Sequence, residues 1–400
     1  MNIPVYLGSP ALTSALGSGL HTHIDALLSP SSKPALTFSS DWVDGKNLAF
    51  GMVKETLCPF SDGTPAHCRS RTNRLLWHTL EQIEPQIRAA IRRYGANRIA
   101  VVIGTSTGGA DENIPMFRQA VQGKAWQGLT FNQCQHLMNA PADFIADAYG
   151  LNGLRYVVST ACTSGARALI SAARLLRAGM CDAVVCGGAD TLSPLTVNGF
   201  ASLEVLSPNI ANPFSANRDG INIGEGAAVF IMTRDADFSG GMRLLGYGAS
   251  SDAYHISTPR PDAQGAILAF QTALQHANLA PEDIGWINLH GTGTHHNDSM
   301  ESRAVAAVFG NNTPCTSTKP QTGHTLGAAG AIEAAFAWGI ANRQSNPEGK
   351  LPPQLWDGQN DPNLPAINLT GSGSRWETEK RIAASSSFAF GGSNCVLIIG

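Results

Sequence analysis

The chain has 400 residues, of which 43% are hydrophobic and only 14% are charged, so an intrinsically disordered protein is excluded. The net charge is −3 and lysine and arginine form no long run, so we expect no nucleic acid among its partners. The sequence shows neither a basic and apolar leader nor a long apolar span, and its eight cysteines include no C-x-x-C pair. We therefore expect a cytoplasmic protein with reduced thiols and no membrane association.

Short apolar runs along the chain predict strands that are buried on both faces. In chain order they occupy residues 98–105, 155–160, 182–189, 227–233, 284–290, 381–388 and 394–400. A helical pattern lies between the second and third runs, from Cys162 to Gly179. Strands that alternate with helices predict an α/β fold with layered sheets. Residues 29–60 and 346–376 are rich in proline, serine and asparagine, which predicts surface segments.

The two halves of the chain follow the same order of elements. In the first half, a strand leads through a small-residue turn at Cys162 into a helix. In the second half, residues 315–318 lead through Gly323 into an alanine-rich helix. We therefore predict a duplicated fold, with an N-terminal half at residues 1–240 and a C-terminal half at residues 241–400.

Cys162 is the first candidate for chemistry, because it follows a predicted strand and stands where a helix begins. The N-terminal end of a helix stabilises an anion, so we expect this position to favour the thiolate. Small neighbours leave room for a substrate carbonyl, and the cysteine's own amide can face a developing oxyanion. From the residues alone, a small buried cysteine with a packing role is an equally good interpretation.

Two histidines complete the candidate site. His290 ends a predicted strand and is followed by a turn with two glycines and two threonines, a position suited to acid–base chemistry or to a structural histidine. We expect no metal site with His295 and His296, because the intervening glycines break helical spacing and no carboxylate frame surrounds them. His324 precedes an apolar helix.

Lys319 and Glu333 flank His324 in the sequence. Glu333 lies in the middle of the apolar helix, and a carboxylate there needs a partner. Lys319, which lies 14 residues earlier, is the obvious candidate. Taken alone, this segment is better explained as an ordinary amphipathic helix.

Four motifs in this order and spacing resemble one family: TACTSG (160–165), HGTGT (290–294), KPQTGH (319–324) and FGGSN (390–394). They are similar to those of the β-ketoacyl-[acyl carrier protein] synthases, condensing enzymes of the thiolase superfamily. The resemblance covers nearly the whole chain. It implies a thiolase-like fold in which duplicated α/β halves form a layered α-β-α-β-α sandwich.

The resemblance also implies roles for single residues. Cys162 is expected to take an acyl chain from a phosphopantetheine thioester, with the backbone amides of Cys162 and Phe390 as the oxyanion hole. His290 and His324 are expected to promote decarboxylation of a malonyl thioester. No metal or redox cofactor is implied, because loss of carbon dioxide generates the carbanion, and phosphopantetheine arrives on the carrier. The other implied residues are the pantetheine-binding Thr292 and Thr294, the supporting pair Lys319 and Glu333, and the gating or acyl-pocket residues Phe390, Gly391, Gly392, Phe200 and Thr107.

Several residues depart from the family pattern. Ala389 stands where a glycine is usual and His295 where proline is frequent, so the family pattern does not determine the shape of either loop. Arg69, Arg71 and Arg74, at helical spacing, are candidates for docking an acidic carrier protein, with a solvated helix face as the alternative. Glu204 occupies a place where a basic residue is common, so a different docking mode of the carrier protein on this enzyme is an alternative.

The retained Cys-His-His set favours an active elongating synthase. A non-catalytic, chain-length-factor-like partner subunit generally lacks the nucleophile. A degradative thiolase needs a second reactive cysteine, and Cys395 lies in an apolar strand instead. An initiating synthase typically has asparagine in place of His324.

The expected substrates are malonyl-ACP and acyl-ACP, in which ACP is the acyl carrier protein and the expected partner. The enzyme itself is expected to form a homodimer, or a heterodimer with a chain-length-factor-like homologue. The chain elongated is a fatty acid or a polyketide or polyene chain. Three features of the sequence favour a secondary-metabolite synthase, such as those that make aryl polyenes: an atypical start at residues 9–17, Ala389 and Glu204. Primary fatty-acid elongation is the alternative.

Overall fold

The computed structural model describes residues 3–29 and 31–400, whose strands build two large mixed sheets and one hairpin. The strands are β1 Tyr6–Leu7, β2 Ala11–Ser14, β3 Gly17–Ser18, β4 Thr37–Val43, β5 Lys46–Phe50, β6 Ile99–Gly104, β7 Arg155–Val158, β8 Ala183–Asp190, β9 Gly226–Thr233, β10 Leu244–Ser251, β11 Trp286–Asn288, β12 Pro314–Thr316, β13 Asn368–Leu369, β14 Ala383–Phe388 and β15 Ser393–Ile399.

Helices separate most of these strands, as expected for an α/β fold. They are α1 Leu20–Leu28, α2 Arg71–Leu80, α3 Glu84–Tyr94, α4 Ile114–Val121, α5 Gln133–His136, α6 Ala140–Tyr149, α7 Ser164–Arg177, α8 Pro194–Ser202, α9 Ala236–Ser239, α10 Gln264–Ala277, α11 His295–Phe309, α12 Lys319–Thr322 and α13 Ala329–Ala341. In the described part of the chain, no helix combines the length and apolar character needed to span a membrane.

The two large sheets repeat one pattern of strand pairing. In the first sheet the order β2-β9-β8-β6-β7 has two antiparallel pairs followed by two parallel pairs. In the second sheet the order β10-β15-β14-β11-β12 has the same succession of antiparallel and parallel pairs. The duplication suggested by the order of elements is therefore visible in the hydrogen bonding of the sheets. The boundary between residues 240 and 241 stays a prediction.

Helices α7 and α13 lie between the two sheets, and this places the site. One hydrophobic core contains both helices together with strands from each sheet, while separate cores lie under α2, α3 and α6 on one outer side and under α10 and α11 on the other. Helix, sheet, helix, sheet and helix therefore follow one another, as the family resemblance implies. The motifs that precede α7 and α13 meet because these two helices pack on each other.

The segment at residues 29–60 is more ordered than its composition indicated. It contains the β4–β5 hairpin, and Leu48 and Phe50 of β5 are buried in a small core. The prediction of a purely surface segment was wrong here, because alternate residues of β5 carry apolar side chains that cover part of the protein. Residues 346–376 are mainly irregular, with β13 as their only strand in the described chain.

Candidate active site

Cys162 lies in a tight turn between β7 and α7. Ala161 before it has a φ of 52°, in the left-handed region that is strained for alanine. The Ser164 hydroxyl accepts from the Thr160 amide at 2.9 Å and donates to the Ala161 carbonyl at 2.6 Å, which holds the turn in a non-helical form. Helix α7 therefore begins at Ser164 and not at Cys162, with Thr163 as its N-cap residue.

The Cys162 thiol faces both histidines. Nε2 of His324 lies 2.9 Å from Sγ of Cys162. The rings of His290 and His324 are 5.2 Å apart between centroids and nearly perpendicular. The Sγ atom and one nitrogen from each ring all lie within 4.8 Å of one another, and the three residues are buried. The fold thus brings together three side chains that are far apart in the sequence.

Burial controls the protonation of these groups. It raises the pKa of the Cys162 thiol to about 12, against the opposing effects of the Lys319 cation and nearby backbone amides. The expectation that this position favours the thiolate was therefore wrong, since desolvation outweighs the helix, which starts two residues later. The pKa of each histidine lies well below its usual value, through burial first and Lys319 second. At neutral pH the site holds a thiol and two neutral imidazoles.

Two backbone amides converge on the thiol. The N–H groups of Cys162 and Phe390 both face Sγ of Cys162 closely enough to lower the pKa of the thiol, although burial outweighs them. A thioester formed at this sulfur would place its carbonyl oxygen close to the same two donors. The arrangement is that of an oxyanion hole, in which fixed dipoles stabilise negative charge without reorganising.

Lys319 and Glu333 form a buried ion pair beside the histidines. Lys319, on α12, donates to Oε1 of Glu333 on α13, and both side chains are almost fully excluded from solvent. Burial raises the pKa of Glu333 to about 7, although Lys319 acts in the opposite direction. The positive member of the pair lowers the pKa of both His290 and His324.

Two buried carboxylates that we missed in the sequence hold the loop after His290. Glu301 accepts from the backbone amides of His290 and Gly291, each at 2.7 Å. Asp298 accepts from the amide of Gly293 at 3.2 Å. A signal was available, because these two acids stand three residues apart on α11, directly after the HGTGT turn, and so share one helix face.

A largely apolar cleft leads to Cys162. Thr292 and Thr294 line it, with their hydroxyl oxygens 3.0 Å apart, and so do Phe200 and Phe390, whose ring centroids are 5.6 Å apart. The cleft leaves about 70 Å³ for water-sized molecules. Sites for drug-sized ligands occupy roughly 300 Å³ or more, so an acyl chain requires the cleft to open. The phenylalanine pair is placed where such an opening would occur.

The loop that carries Phe390 is tied to a second loop at residues 252–256. The Gly391 amide donates to the Ile256 carbonyl at 2.7 Å, and the Asp252 amide donates to the Gly392 carbonyl at 2.8 Å. These bonds couple the two loops, so a movement of Phe390 involves both of them.

Thr107 does not line the cleft in the part of the chain that the structure describes. It is buried, with its hydroxyl 3.4 Å from Oδ1 of Asp190. Asp190, also missed in the sequence, accepts from the Ser106 amide at 2.9 Å and from the Gly327 amide at 2.7 Å. This carboxylate therefore joins the turn after β6 to the segment that follows His324. The role of Thr107 at the end of an acyl pocket stays a prediction.

The three arginines considered for carrier docking line one surface cleft. Arg71 pairs with the buried Glu225 at 2.6 Å, and Arg74 donates to the Leu57 carbonyl at 2.9 Å. The prediction that all three lie at helical spacing was wrong, because α2 begins at Arg71 and leaves Arg69 outside it. With Arg71 neutralised by a carboxylate, Arg69 and Arg74 are the better candidates for binding an external anion.

Family models and curated relatives match most of the chain. Models for the N-terminal and C-terminal domains of β-ketoacyl synthase match residues 71–237 and 242–348. The chain is 33% identical to 3-oxoacyl-[acyl-carrier-protein] synthase 2 of Synechocystis over 77% of this chain and 76% of that protein. It is 32% identical to nodulation protein E of Rhizobium meliloti over 76% and 75%, respectively. The chain belongs to the β-ketoacyl synthase family. Its activity is that of a condensing acyltransferase.

Solved structures of ketosynthases show the same fold over the full length. The complex of the ketosynthase ApeO with its chain length factor ApeC, from Xenorhabdus doucetiae, contains a chain that matches with a TM-score of 0.90 and 41% identity, covering 99% of this chain and 98% of that one. A β-ketoacyl synthase from Burkholderia phymatum matches with a TM-score of 0.85 and 27% identity, covering 99% and 98%. The predicted thiolase-like fold of this ketosynthase is thereby confirmed.

Proposed function

We propose that this ketosynthase holds an acyl chain on Cys162 and extends it by decarboxylative condensation with a malonyl group carried by ACP. The observation that carries the proposal is the contact of 2.9 Å between His324 Nε2 and Cys162 Sγ, with His290 in the same buried pocket. A chain-length-factor-like subunit would have no need of this thiol–imidazole contact.

The first half-reaction loads the enzyme. His324 takes the proton from the Cys162 thiol, Sγ attacks the carbonyl carbon of the acyl thioester, and the pantetheine sulfur leaves and takes up a proton. The amides of Cys162 and Phe390 stabilise the oxyanion. His324 is needed because burial holds the pKa of the thiol at about 12.

The second half-reaction forms the carbon–carbon bond. Loss of carbon dioxide from the malonyl thioester leaves an enolate, whose oxygen accepts hydrogen bonds from His290 and His324. The enolate carbon attacks the acyl thioester, and the bond to Sγ breaks. A neutral imidazole carries its N–H on either nitrogen, so each ring can accept a proton in one half-reaction and donate a hydrogen bond in the other. Because decarboxylation itself generates the carbanion, the proposal needs no cofactor.

Recognition of the carrier rests on two surfaces. Thr292 and Thr294 offer hydroxyls to the pantetheine arm where it enters the cleft. Arg69 and Arg74 lie on the cationic cleft, where an acidic ACP would find complementary charge. We propose that the reaction takes place in the cytoplasm.

We further propose a secondary-metabolite pathway and a heterodimer with a chain-length-factor-like homologue. The match at 41% identity to a complex of the ketosynthase ApeO with its chain length factor supports this choice over a homodimer of primary metabolism. Size-exclusion chromatography with light scattering tests the partner. A stable homodimer that elongates acyl chains without any second subunit would contradict the heterodimer, but not the condensation.

The function is tested with malonyl-ACP and a panel of acyl-ACPs, using intact mass spectrometry of both enzyme and carrier. We expect an acyl adduct that peptide mapping places on Cys162 of the wild-type enzyme, together with a β-ketoacyl-ACP product, and we expect no such product from Cys162→Ala. Cys315→Ala is a control, since Cys315 is buried away from the cleft. An acyl adduct retained at full level by Cys162→Ala, together with normal product, would show that another nucleophile carries the reaction.

A further inference from the structure

A second thiol–imidazole pair lies outside the cleft of Cys162. His78, on α2, has Nδ1 3.1 Å from Sγ of Cys58, in the segment that follows β5. On the other side of the ring, Nε2 lies 2.9 Å from the hydroxyl of Ser18 and 3.6 Å from a carboxylate oxygen of Glu55. The condensation mechanism uses none of these four residues.

Hydrogen bonding fixes the direction of proton donation among them. An ionised carboxylate only accepts, so the Ser18 hydroxyl donates to Glu55. Ser18 Oγ in turn accepts from the Nε2–H of His78, which leaves Nδ1 of the neutral ring without a proton. The backbone amide of Cys58 donates to the same Nδ1 at 3.2 Å, in agreement with this tautomer. The lone pair of Nδ1 is therefore shared between the amide and the thiol of Cys58, with the thiol sulfur at 3.1 Å.

This arrangement is that of an activated nucleophile. It has a thiol, a base within hydrogen-bond reach, and a third group that orients the base. When Nδ1 takes the proton from the thiol, the carboxylate of Glu55 stabilises the resulting imidazolium. Unlike Cys162, Cys58 is partly exposed, and 44% of the Glu55 side chain is in solvent. A reagent can therefore reach this thiol without opening the active-site cleft.

The surface cleft that is lined by the three arginines considered for carrier docking begins at Pro59, the residue after Cys58. Pro59, Arg69 and Arg74 are among the residues that line it, and its volume is about 580 Å³. Arg74 stands one turn before His78 on α2, and its Nε donates to the Cys58 carbonyl at 3.3 Å. The guanidinium of Arg74 is thus hydrogen-bonded to the backbone of the residue that carries the thiol. Arginine binds phosphate through charge-assisted hydrogen bonds, and Arg69 and Arg74 outnumber Asp62, the one carboxylate in the lining, so the cleft suits a phosphate-bearing molecule.

We propose that Cys58 is a second acyl-acceptor thiol, activated by His78, Ser18 and Glu55, that takes an acyl group from a phosphate-bearing thioester. Sγ of Cys58 attacks the thioester carbonyl, the carbon–sulfur bond to the donor breaks, and the thiol proton passes through His78 to the leaving sulfur. No redox partner is needed. The inference rests on the proposed function only for its electrophile, because acyl thioesters are the substrates proposed for this enzyme.

The test uses Cys162→Ala enzyme and an acyl phosphopantetheine thioester, with peptide mapping by mass spectrometry. We expect the acyl group on Cys58, with its rate of formation reduced about a hundredfold in His78→Gln, the order expected for loss of a general base. Glu55→Gln and Ser18→Ala are expected to slow it as well, and they serve as second variants if His78→Gln does not fold. Cys134 is the matched control, because it is more exposed than Cys58.

Two results would overturn the proposal. One is acylation of Cys134 at least as fast as that of Cys58, which would show that solvent exposure alone determines which thiol is acylated. The other is an unchanged rate on Cys58 in folded His78→Gln or Ser18→Ala enzyme. Failure of the proposed function is seen separately, as the lack of an acyl adduct on Cys162 in the wild-type enzyme.

Discussion

At the scale of single residues, the site balances burial against charge. Burial raises the pKa of Cys162 to about 12 and lowers the pKa of both histidines, while Lys319 acts on all three. The cation counteracts burial at the thiol and adds to it at the imidazoles. Lys319 therefore favours the charge state in which His324 is a neutral base.

Replacement of Lys319 by methionine tests this electrostatic role. Without the cation the pKa of His324 rises toward its usual value, so more of the base is protonated in mild acid. Glu333, whose pKa is already about 7, is expected to take up a proton and remain neutral. We expect the acid limb of the pH profile for acylation of Cys162 to move to higher pH.

The matched control is Lys350→Met, which removes a lysine that pairs with Glu348 at the surface. Its profile is expected to overlay that of the wild type. The profile is obtained from rapid-quench mass spectrometry between about pH 5 and pH 8, a range that brackets the ordinary histidine pKa. An acid limb that stays in place in Lys319→Met would contradict the proposed coupling.

At the scale of elements, the loop of Phe390 and the loop at residues 252–256 are joined by two backbone hydrogen bonds. Gly391 and Gly392 have φ of 83° and 74°, in the left-handed region. A Cβ on Gly392 would lie 2.8 Å from Cβ of Asp252, whereas a Cβ on Gly391 would meet nothing within 4 Å. The two glycines therefore differ in packing although they share backbone strain.

This difference gives a matched pair of variants. Both Gly391→Ala and Gly392→Ala carry the backbone penalty of about 1–2 kcal/mol. Only Gly392→Ala also pushes the second loop, so we expect the larger loss of thermal stability and of condensation rate in that variant. Differential scanning fluorimetry and the rate of product formation measure both effects. Equal losses in the two variants would show that the loops are not coupled through this contact.

Whether an element could be predicted depended on how local its signal is. The strands before Cys162 and His290 were predicted from their apolar runs, although β11 is shorter than its pattern. The start of α7 was placed two residues early, because the Ser164 hydroxyl forms a turn that the residue types do not reveal. The cysteine and histidines were found through short motifs. Asp190 was missed because the groups that donate to it come from two distant segments, residues 105–107 and Gly327.

At the scale of the whole molecule, stability depends on histidines that are buried without charge. His23, on α1, donates from Nδ1 to the Gly19 carbonyl and accepts at Nε2 from the Ser14 hydroxyl, and burial lowers its pKa to about 4. The unfolded chain binds a proton at this residue below about pH 6.5, and the folded chain does not. Stability therefore falls as the pH decreases from 6.5 and levels off near the folded pKa.

His23→Gln removes this titration while keeping a polar side chain. At pH 5 the linkage from His23 alone costs about 2 kcal/mol of unfolding free energy, so the variant is expected to lose less stability than the wild type between pH 7 and pH 5. Urea unfolding at both values measures the difference. The control is His21→Gln, since His21 is exposed on the same helix. Equal pH dependence in His23→Gln and wild type would contradict the assignment.

The central claim is that the acyl group held on Cys162 is the one to which the decarboxylated malonyl carbon is joined. The most direct measurement is a single turnover in which isolated acyl-enzyme is mixed with malonyl-ACP, and acyl-enzyme, carbon dioxide and β-ketoacyl-ACP are quantified together. The account predicts that acyl-enzyme disappears at the rate at which carbon dioxide and β-ketoacyl-ACP appear, and that the three amounts are equal. It also predicts that His290→Ala retains its acyl group. Loss of the acyl group as free acid, or product formed while the acyl-enzyme persists, would contradict it.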